Sequence, residues 1–297
     1  MPENINQFLG AEIVSQLNGV KNFSNVSEIR LRTDKPMILQ MGKHEHVFNN
    51  FSPSANDIRE TIERVSQYSF YAFEQELAMG YITLPGGHRV GVTGQVVVEN
   101  NAVKGWRHIS GLNIRVAHCV KGCANEVLPR ILNNENSAPT IFHTMIISSP
   151  GFGKTTLLRD IIRQISDDIK LTVGLADERS EVAGCFQGVA QNDVGARTDV
   201  IDGCPKALAM IMLLRAMSPD VIAVDELGGE QDAHAVDAVL NAGVKLLCTA
   251  HGSDFNDIMA NPALKPVLGR EVFERFIVLD APAKIAGVYD KEGEPCC

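Results

Sequence analysis

Residues 146–160, IISSPGFGKTTLLRD, restrict the fold more than any other stretch of this chain. A β-branched apolar run ends in small residues, a Gly-Phe-Gly turn follows, and Lys154, Thr155 and Thr156 open a run with helical spacing. That order reads as strand, phosphate loop and helix. Gly151 and Gly153 let the backbone from Pro150 through Phe152 curl round a nucleoside triphosphate with its N–H groups turned inward, and Lys154 reaches the β and γ oxygens. Thr155 is suited to hold Mg²⁺, with Thr156 carrying the chain on into the helix. Ser148 stands where the pattern G-x-x-x-x-G-K-[ST] has its first glycine, at the strand end, where a small side chain serves.

From residue 140 onward apolar runs alternate with helical segments, which argues for a parallel sheet covered on both faces. Strands are expected at 140–148, 171–176 and 244–249 and within 273–281, helices at 156–165 and 231–242, and an almost uniformly apolar core-filling run at 206–217. The strand at 171–176 delivers Asp177, Glu178, Arg179 and Glu181 to its carboxyl end, where ligands bind in such sheets. The run VIAVDE at 221–226 is a buried strand that ends in two carboxylates, Asp225 for a Mg²⁺ shell and Glu226 to polarise a water. Downstream of a phosphate loop in an alternating α/β stretch, it reads as a Walker B strand. His251 closes the strand after that, where an imidazole can bond a γ-phosphate. Residues 184–203 are Gly-rich without a period and are expected as an ordered loop near the nucleotide or a subunit contact.

A chain of 297 residues exceeds the ~100–200 of one domain, so a second unit is expected upstream. A helix is expected within 4–18, strands at 26–32 and 36–41, and a helix capped by Ser54 whose Ile58, Ile62 and Val65 recur at helical spacing. A further helix follows at 68–79, with Phe70 and Phe73 as packing residues. Residues 80–118 then read as an antiparallel meander broken by Pro-Gly-Gly and Asn-Asn turns. The meander carries His88, Arg89, Trp106, Arg107, His108 and Arg115, either as edge and surface residues or as groups presented to the phosphates of a neighbouring subunit. Polar residues 133–139 place a linker, giving an N-terminal domain at 1–118, a linker at 119–140 and a nucleotide domain at 141–297.

The charge sits unevenly. Residues 1–135 carry 13 basic and 13 acidic side chains, residues 136–297 carry 14 and 23, and the net charge of −9 belongs to the nucleotide half. A duplex-tracking motor would show a basic surface, because phosphate neutralisation supplies most of its affinity; no nucleic-acid partner is expected. Seven scattered cysteines, an odd number, fit reduced thiols in a cytosol, and Cys119 and Cys123 have no second pair at zinc-site spacing. The opening residues lack the basic-then-apolar order of a signal peptide, and the apolar run at 207–214 is far short of the ~20 residues of a membrane span. A cytoplasmic protein is expected.

Phosphate loop, DERSE cluster, VDE strand and TAHG strand end, in that order, resemble the type II/IV secretion ATPases, RecA-like hexameric motors. The runs EIRLR, GYITLPGGHRVGVTG, ISGLNIRVAH and RAMSPDVIAVDELGG are similar to a sporulation branch of that family, over essentially the whole chain. The resemblance implies an α/β protein with a RecA-like P-loop core and a smaller N-terminal α/β domain containing an antiparallel sheet. It implies an ATPase assembled as a homo-oligomeric ring, hexameric in that family's manner, using ATP and Mg²⁺. Its setting would be the mother-cell cytoplasm, at the septal membrane through membrane-embedded partner proteins of a stage III sporulation complex. By residue, Lys154 and Thr155 match the Walker A motif, Glu226 the Walker B glutamate and His251 the His box, while Glu178 and Glu181 both fit the glutamate of the Asp box that opens at Asp177. Arg89, Arg107 and Arg115 become candidates for N-terminal arginines that reach the nucleotide. Asp225 stands where secretion motors often have glycine. Two other readings stay open: a nucleotide-gated assembly scaffold with little hydrolysis, and a nucleic-acid motor on the same core.

Overall fold

Period-two alternation builds the first of the two units into which the chain divides, residues 1–118. The computed structural model describes residues 5–20, 23–42, 44–69, 73–117, 120–134, 139–281 and 284–296. Strands β1 (Glu28–Arg32), β2 (Lys35–Met41), β3 (His44–Phe48), β4 (Tyr81–Thr83), β5 (Arg89–Glu99) and β6 (Ala102–Arg115) form one antiparallel sheet in the order β3-β2-β1-β6-β5-β4. Ile29, Leu31, Met37, Leu39, Val90, Val92, Leu112 and Ile114 are buried. So are Ile13 and Leu17 of helix α1 (Ala11–Leu17) and Ile58, Ile62 and Val65 of α2 (Ala55–Val65). Each such side chain contributes roughly 1.5–3 kcal/mol of burial. Ser54 starts α2 as expected, in a capping box with Asp57. Of the helix expected at 68–79, Glu74–Ala78 is α3; Phe70 lies outside the described residues. Both turns of the meander use left-handed backbone, Gly86 and Gly87 in one, Asn100 and Asn101 in the other. His88, read as an edge or surface residue, is buried, and its Nδ1 accepts the Ala117 N–H at 3.0 Å.

The second unit, 119–297, contains a short helix α4 (Leu128–Ile131), a two-stranded pair β7 (Leu132–Asn133) and β8 (Thr140–Ile141), and a seven-stranded sheet with its helices. In chain order these are β9 (Thr144–Ser148), α5 (Lys154–Gln164), β10 (Val173–Asp177), β11 (Thr198–Asp202), α6 (Lys206–Ala216), β12 (Val221–Val224), α7 (Glu230–Asn241), β13 (Lys245–His251), α8 (Phe255–Ala260), α9 (Lys265–Leu268), β14 (Arg275–Ala281) and β15 (Lys284–Tyr289). The strand order is β11-β10-β12-β13-β9-β14-β15, parallel throughout except for β15. This is the RecA-like core. Successive residues of the central strands face opposite layers, which is why these strands read as unbroken apolar runs. Met145, Ile147, Ile222, Val224, Leu246 and Cys248 pack with α6, α7, α8 and α9, whereas Ile146, Leu175, Val221, Ala223 and Leu247 pack with α4 and α5.

The stretch expected as a linker supplies core to this unit: Ala124, Val127, Leu128 and Ile131 are buried in the layer that contains α5. Cys119 and residues 135–138 lie outside the described residues. Two strands depart from expectation. β11 lies within the stretch expected to be an ordered loop; its strand is not legible in the sequence because all five of its residues are half-buried at a sheet edge and show no alternation. β15 adds an antiparallel edge to a sheet expected to be parallel. No described helix is long and apolar enough to cross a membrane.

Candidate functional site

In the strand order, β13 lies between β9 and β12, so the carboxyl ends of the three strands that carry the loop, the paired carboxylates and His251 meet at one end of the sheet. An open cavity of about 300 Å³ lies there, lined by Pro150, Gly151, Gly153, Lys154, Thr155, Arg179, Glu181, Asp225, Glu226 and His251. The loop turns on left-handed residues Gly151 (φ 81°) and Gly153 (φ 83°), conformations that L side chains resist, and Gly153 is the N-cap of α5. The N-terminus of that helix, with its free N–H groups and positive dipole end, therefore opens on the cavity. Phe152 packs its ring against the core instead of lining the cavity, and Thr156 is not among the lining residues.

Around Asp225 the hydroxyl groups of two threonines converge. Thr155 Oγ1 lies 3.4 Å from Asp225 Oδ2, and Thr249 Oγ1 donates to Asp225 Oδ1 at 2.8 Å. Burial raises the Asp225 carboxyl above its ordinary range, against the Thr249 hydroxyl and the Lys154 ammonium, which lower it. Thr155 and Asp225 are hard oxygen donors on adjacent elements, the type of set that Mg²⁺ takes when substrate phosphates and water complete its shell. The same Thr249 hydroxyl accepts the Glu226 N–H at 2.9 Å, and Glu226 is held in left-handed backbone, φ 56°. Its carboxylate meets Arg179 Nη1 at 3.0 Å and His251 Nε2 at 3.3 Å, while Lys154 Nζ lies 3.3 Å from each ring nitrogen of His251.

The two glutamates of the DERSE run separate. Glu181 lines the cavity, and Glu178 instead pairs with Lys206 Nζ at 3.2 Å, on α6, where Asp232 lies 3.8 Å from the same nitrogen. Asp177 causes this. It is fully buried and accepts the backbone N–H groups of Glu181, Val182 and Ala183 at 2.8–3.3 Å, folding the chain back on itself. Burial pushes the Asp177 carboxyl up to about 6, against the pull of those three donors. Arg159 of α5 braces the same turn, donating to the carbonyls of Val182 at 2.6 Å and Glu181 at 2.8 Å. Arg159 and Thr249 were missed from the sequence: both act through neighbours distant in the chain, and a threonine inside a buried strand gives no local signal.

In the first unit, Arg89 and Arg115 are directly opposite one another across β5 and β6. Like charges so placed repel. The Arg89 guanidinium stacks on the Tyr81 ring, 3.5 Å from its centroid, and Arg115 lies 3.6 Å from Glu28, which also binds Arg30. Arg107 lies apart from that pair, exposed on the outer part of β6.

The chain matches the family model "Sporulation stage III, protein AA" over residues 1–296. Stage III sporulation protein AA of Bacillus subtilis is 39% identical over 300 residues, covering 99% of this chain and 94% of that one. Among solved structures, the ATPase DotB of Legionella pneumophila matches 94% of this chain and 78% of its own at a TM-score of 0.60 and 18% identity. The pilus retraction motor PilT, solved with bound ADP, matches 91% and 78% at a TM-score of 0.56 and 15% identity. At those identities the two structures establish the fold.

Proposed function

This chain belongs to the sporulation stage III protein AA family and carries the fold of the secretion ATPases, and from that premise we propose that it hydrolyses ATP to drive assembly of, or transport through, a transenvelope sporulation complex. One observation carries the reading: Lys154, the Thr155–Asp225 pair, Glu226 and His251 come from two strand ends and a helix start to line a single cavity. The loop N–H groups, the α5 terminus and Lys154 bind the phosphates and stabilise charge on the transferring phosphoryl group. Thr155 and Asp225 would hold Mg²⁺, which would supply neutralisation of the phosphate charge. Glu226 orients the attacking water. Glu181 faces the same cavity and is the second carboxylate of the site. His251, in contact with both Lys154 and Glu226, reports the γ-phosphate to the carboxylate that positions the water.

The chain works as a ring, hexameric by its resemblance to the secretion motors, with Arg89 and Arg115 of one subunit completing a neighbour's site. The two arginines face each other across the strand pair, where an anion could meet both guanidiniums beside the Tyr81 ring and the Glu28 carboxylate that they already contact. Arg107 is the weaker candidate for that role because it lies outside the pair. The setting is the mother-cell cytoplasm at the septal membrane, reached through membrane-embedded partners of the stage III complex. ATP turnover by purified protein tests the site: Lys154→Ala and Glu226→Gln are each expected to lower it at least a hundredfold. Wild-type rates in both would overturn the assignment, and assembly on a non-hydrolysable ATP analogue without any turnover of ATP by the wild type would leave a scaffold instead.

A further inference from the structure

Between Glu178, which turns to Lys206, and Glu181, which faces the cavity, Arg179 stands at the tip of the turn that Asp177 folds. That turn is held from several directions. Besides the three N–H groups captured by Asp177 and the two carbonyls braced by Arg159, the Ser180 hydroxyl accepts the Cys185 N–H at 3.1 Å. Ser180 itself is left-handed, φ 55°, a conformation that a serine keeps only where its surroundings impose it. The turn carries Arg179 to the wall of the nucleotide cavity, with its side chain 63% exposed.

Arg179 Nη1 lies 3.0 Å from Glu226 Oε2, on the carboxylate proposed above to orient the attacking water. The other oxygen, Oε1, lies 3.3 Å from His251 Nε2, and Lys154 Nζ lies 3.3 Å from the same ring. One chain of contacts therefore crosses the cavity from ammonium to guanidinium, with the imidazole and the carboxylate between them. Among the described residues that line the cavity, Lys154 and Arg179 are the lysine and arginine side chains, set against the carboxylates of Glu181, Asp225 and Glu226. A triphosphate brings more negative charge into this acidic site than one ammonium offsets, so a second cation matters to binding. An ion pair as exposed as Arg179–Glu226 adds little to folding stability, and stability does not account for it. Little is lost when the guanidinium changes partner, and a phosphoryl group offers it forked, charge-assisted hydrogen bonds.

We propose that Arg179 is a catalytic arginine acting within its own chain, moving from Glu226 to an oxygen of the γ-phosphoryl group when ATP binds. This role rests on the ATPase reading above and adds a residue to it. The γ end is the one within reach, because a group bonded to the carboxylate that orients the water stands beside the phosphorus the water attacks. The exchange frees Glu226 Oε2 to accept a hydrogen bond from that water, while His251 keeps its place at Oε1. The water oxygen then bonds to the γ-phosphorus as the bridging P–O bond breaks, the electron pair of that bond leaves with ADP, and the water's proton passes through Glu226 to solvent. The guanidinium offsets charge on the oxygens of the transferring group. ADP has no such oxygens, so Arg179 also distinguishes ATP from its product. Arg179 shares a chain with Lys154, and its contribution therefore needs no neighbouring subunit, unlike those proposed for Arg89 and Arg115.

The test compares Arg179→Ala and Arg179→Lys with the wild type on the full chain, by ATP turnover and by affinity for ADP and for the non-hydrolysable imido analogue of ATP. Arg179→Ala is expected to lower kcat at least about tenfold with Tm unchanged. It is expected to weaken the analogue about fivefold or more and to leave ADP within roughly twofold. Arg179→Lys, which keeps the charge without the fork, is expected to recover the analogue's affinity and only part of kcat. Guanidinium chloride at tens of millimolar is expected to restore part of the turnover of Arg179→Ala and none of that of Lys154→Ala, a rescue that a merely structural role would not give. Wild-type kcat in Arg179→Ala would overturn the proposal, as would equal weakening of ADP and the analogue. So would faster turnover, which would make the arginine a brake on Glu226. A wild type that turns over no ATP would refute the ATPase reading, and the two affinities would still decide whether Arg179 reads the γ-phosphate.

Discussion

Replacing Thr249 by valine removes one hydroxyl and almost no volume, and that hydroxyl serves two partners. It donates to Asp225 Oδ1 at 2.8 Å and accepts the Glu226 N–H at 2.9 Å, from a side chain with no exposure. A buried donor left unmet costs about 1–3 kcal/mol, and the bond to a carboxylate is worth about 1.5–3 kcal/mol, so the expected loss is roughly 2–4 kcal/mol allowing for partial relaxation. At about 2–4 °C per kcal/mol for a unit of this size, Tm falls by on the order of 10 °C. Activity falls for a separate reason. Glu226 is held in left-handed backbone, a conformation that costs a non-glycine residue about 1–2 kcal/mol, and the Thr249 contact opposes its relaxation. Asp225 also loses a donor that lowers its carboxyl, so the acid limb of turnover moves to higher pH. Turnover is expected to drop at least tenfold below 30 °C, where the variant remains folded, while Thr249→Ser retains both properties. Denaturation by heat and ATP turnover across pH on the three proteins decide it; valine with wild-type Tm and rate would refute the reasoning.

Two further perturbations probe the supports of the nucleotide unit. Asp160 of α5 is buried, and although burial raises its carboxyl, the Ala124 N–H, Arg163 and Gln164 together hold it below the ordinary carboxylate range. Asp160→Ala strands Arg163 and the Ala124 N–H at 2.9 Å, and is expected to destabilise by about 3–5 kcal/mol in urea denaturation, with Asp160→Asn milder. His143 precedes β9 with its pKa lowered to about 4 by burial and the nearby Lys245 ammonium, and its Nδ1 accepts the Leu246 N–H at 3.1 Å. The unfolded chain takes up that proton near pH 6.5 and the folded one only near 4, so His143 contributes stability above pH 6.5 that is lost as pH falls through that window. Its partial exposure reduces the effect to the order of 1–2 kcal/mol. The urea midpoint should fall between pH 6.5 and 4 in the wild type and fall less in His143→Gln.

What could be read from the chain alone follows from how local each signal is. The phosphate loop, VIAVDE and the TAHG strand end each combine an apolar run with its terminal residues inside about ten positions, so strand and chemistry are legible together. The edge strands were not: β3 is HEHVF with three exposed polar residues, and β11 is half-buried throughout, so neither alternates. Glu178 and Glu181 could not be ranked because their directions depend on Lys206 and on three N–H groups captured by Asp177, contacts made only after folding. The missing first glycine has a comparable answer. Ser148 is the last residue of β9, paired with His251 on β13, wholly buried, with its hydroxyl donating to the Ser149 carbonyl at 3.0 Å. Its backbone is not left-handed, unlike that of Gly151 and Gly153. The turn of this loop begins only after position 148, so that position needs a small side chain and not glycine's conformational freedom. Ser148→Gly is therefore the change that would add flexibility to the loop without relieving any strain.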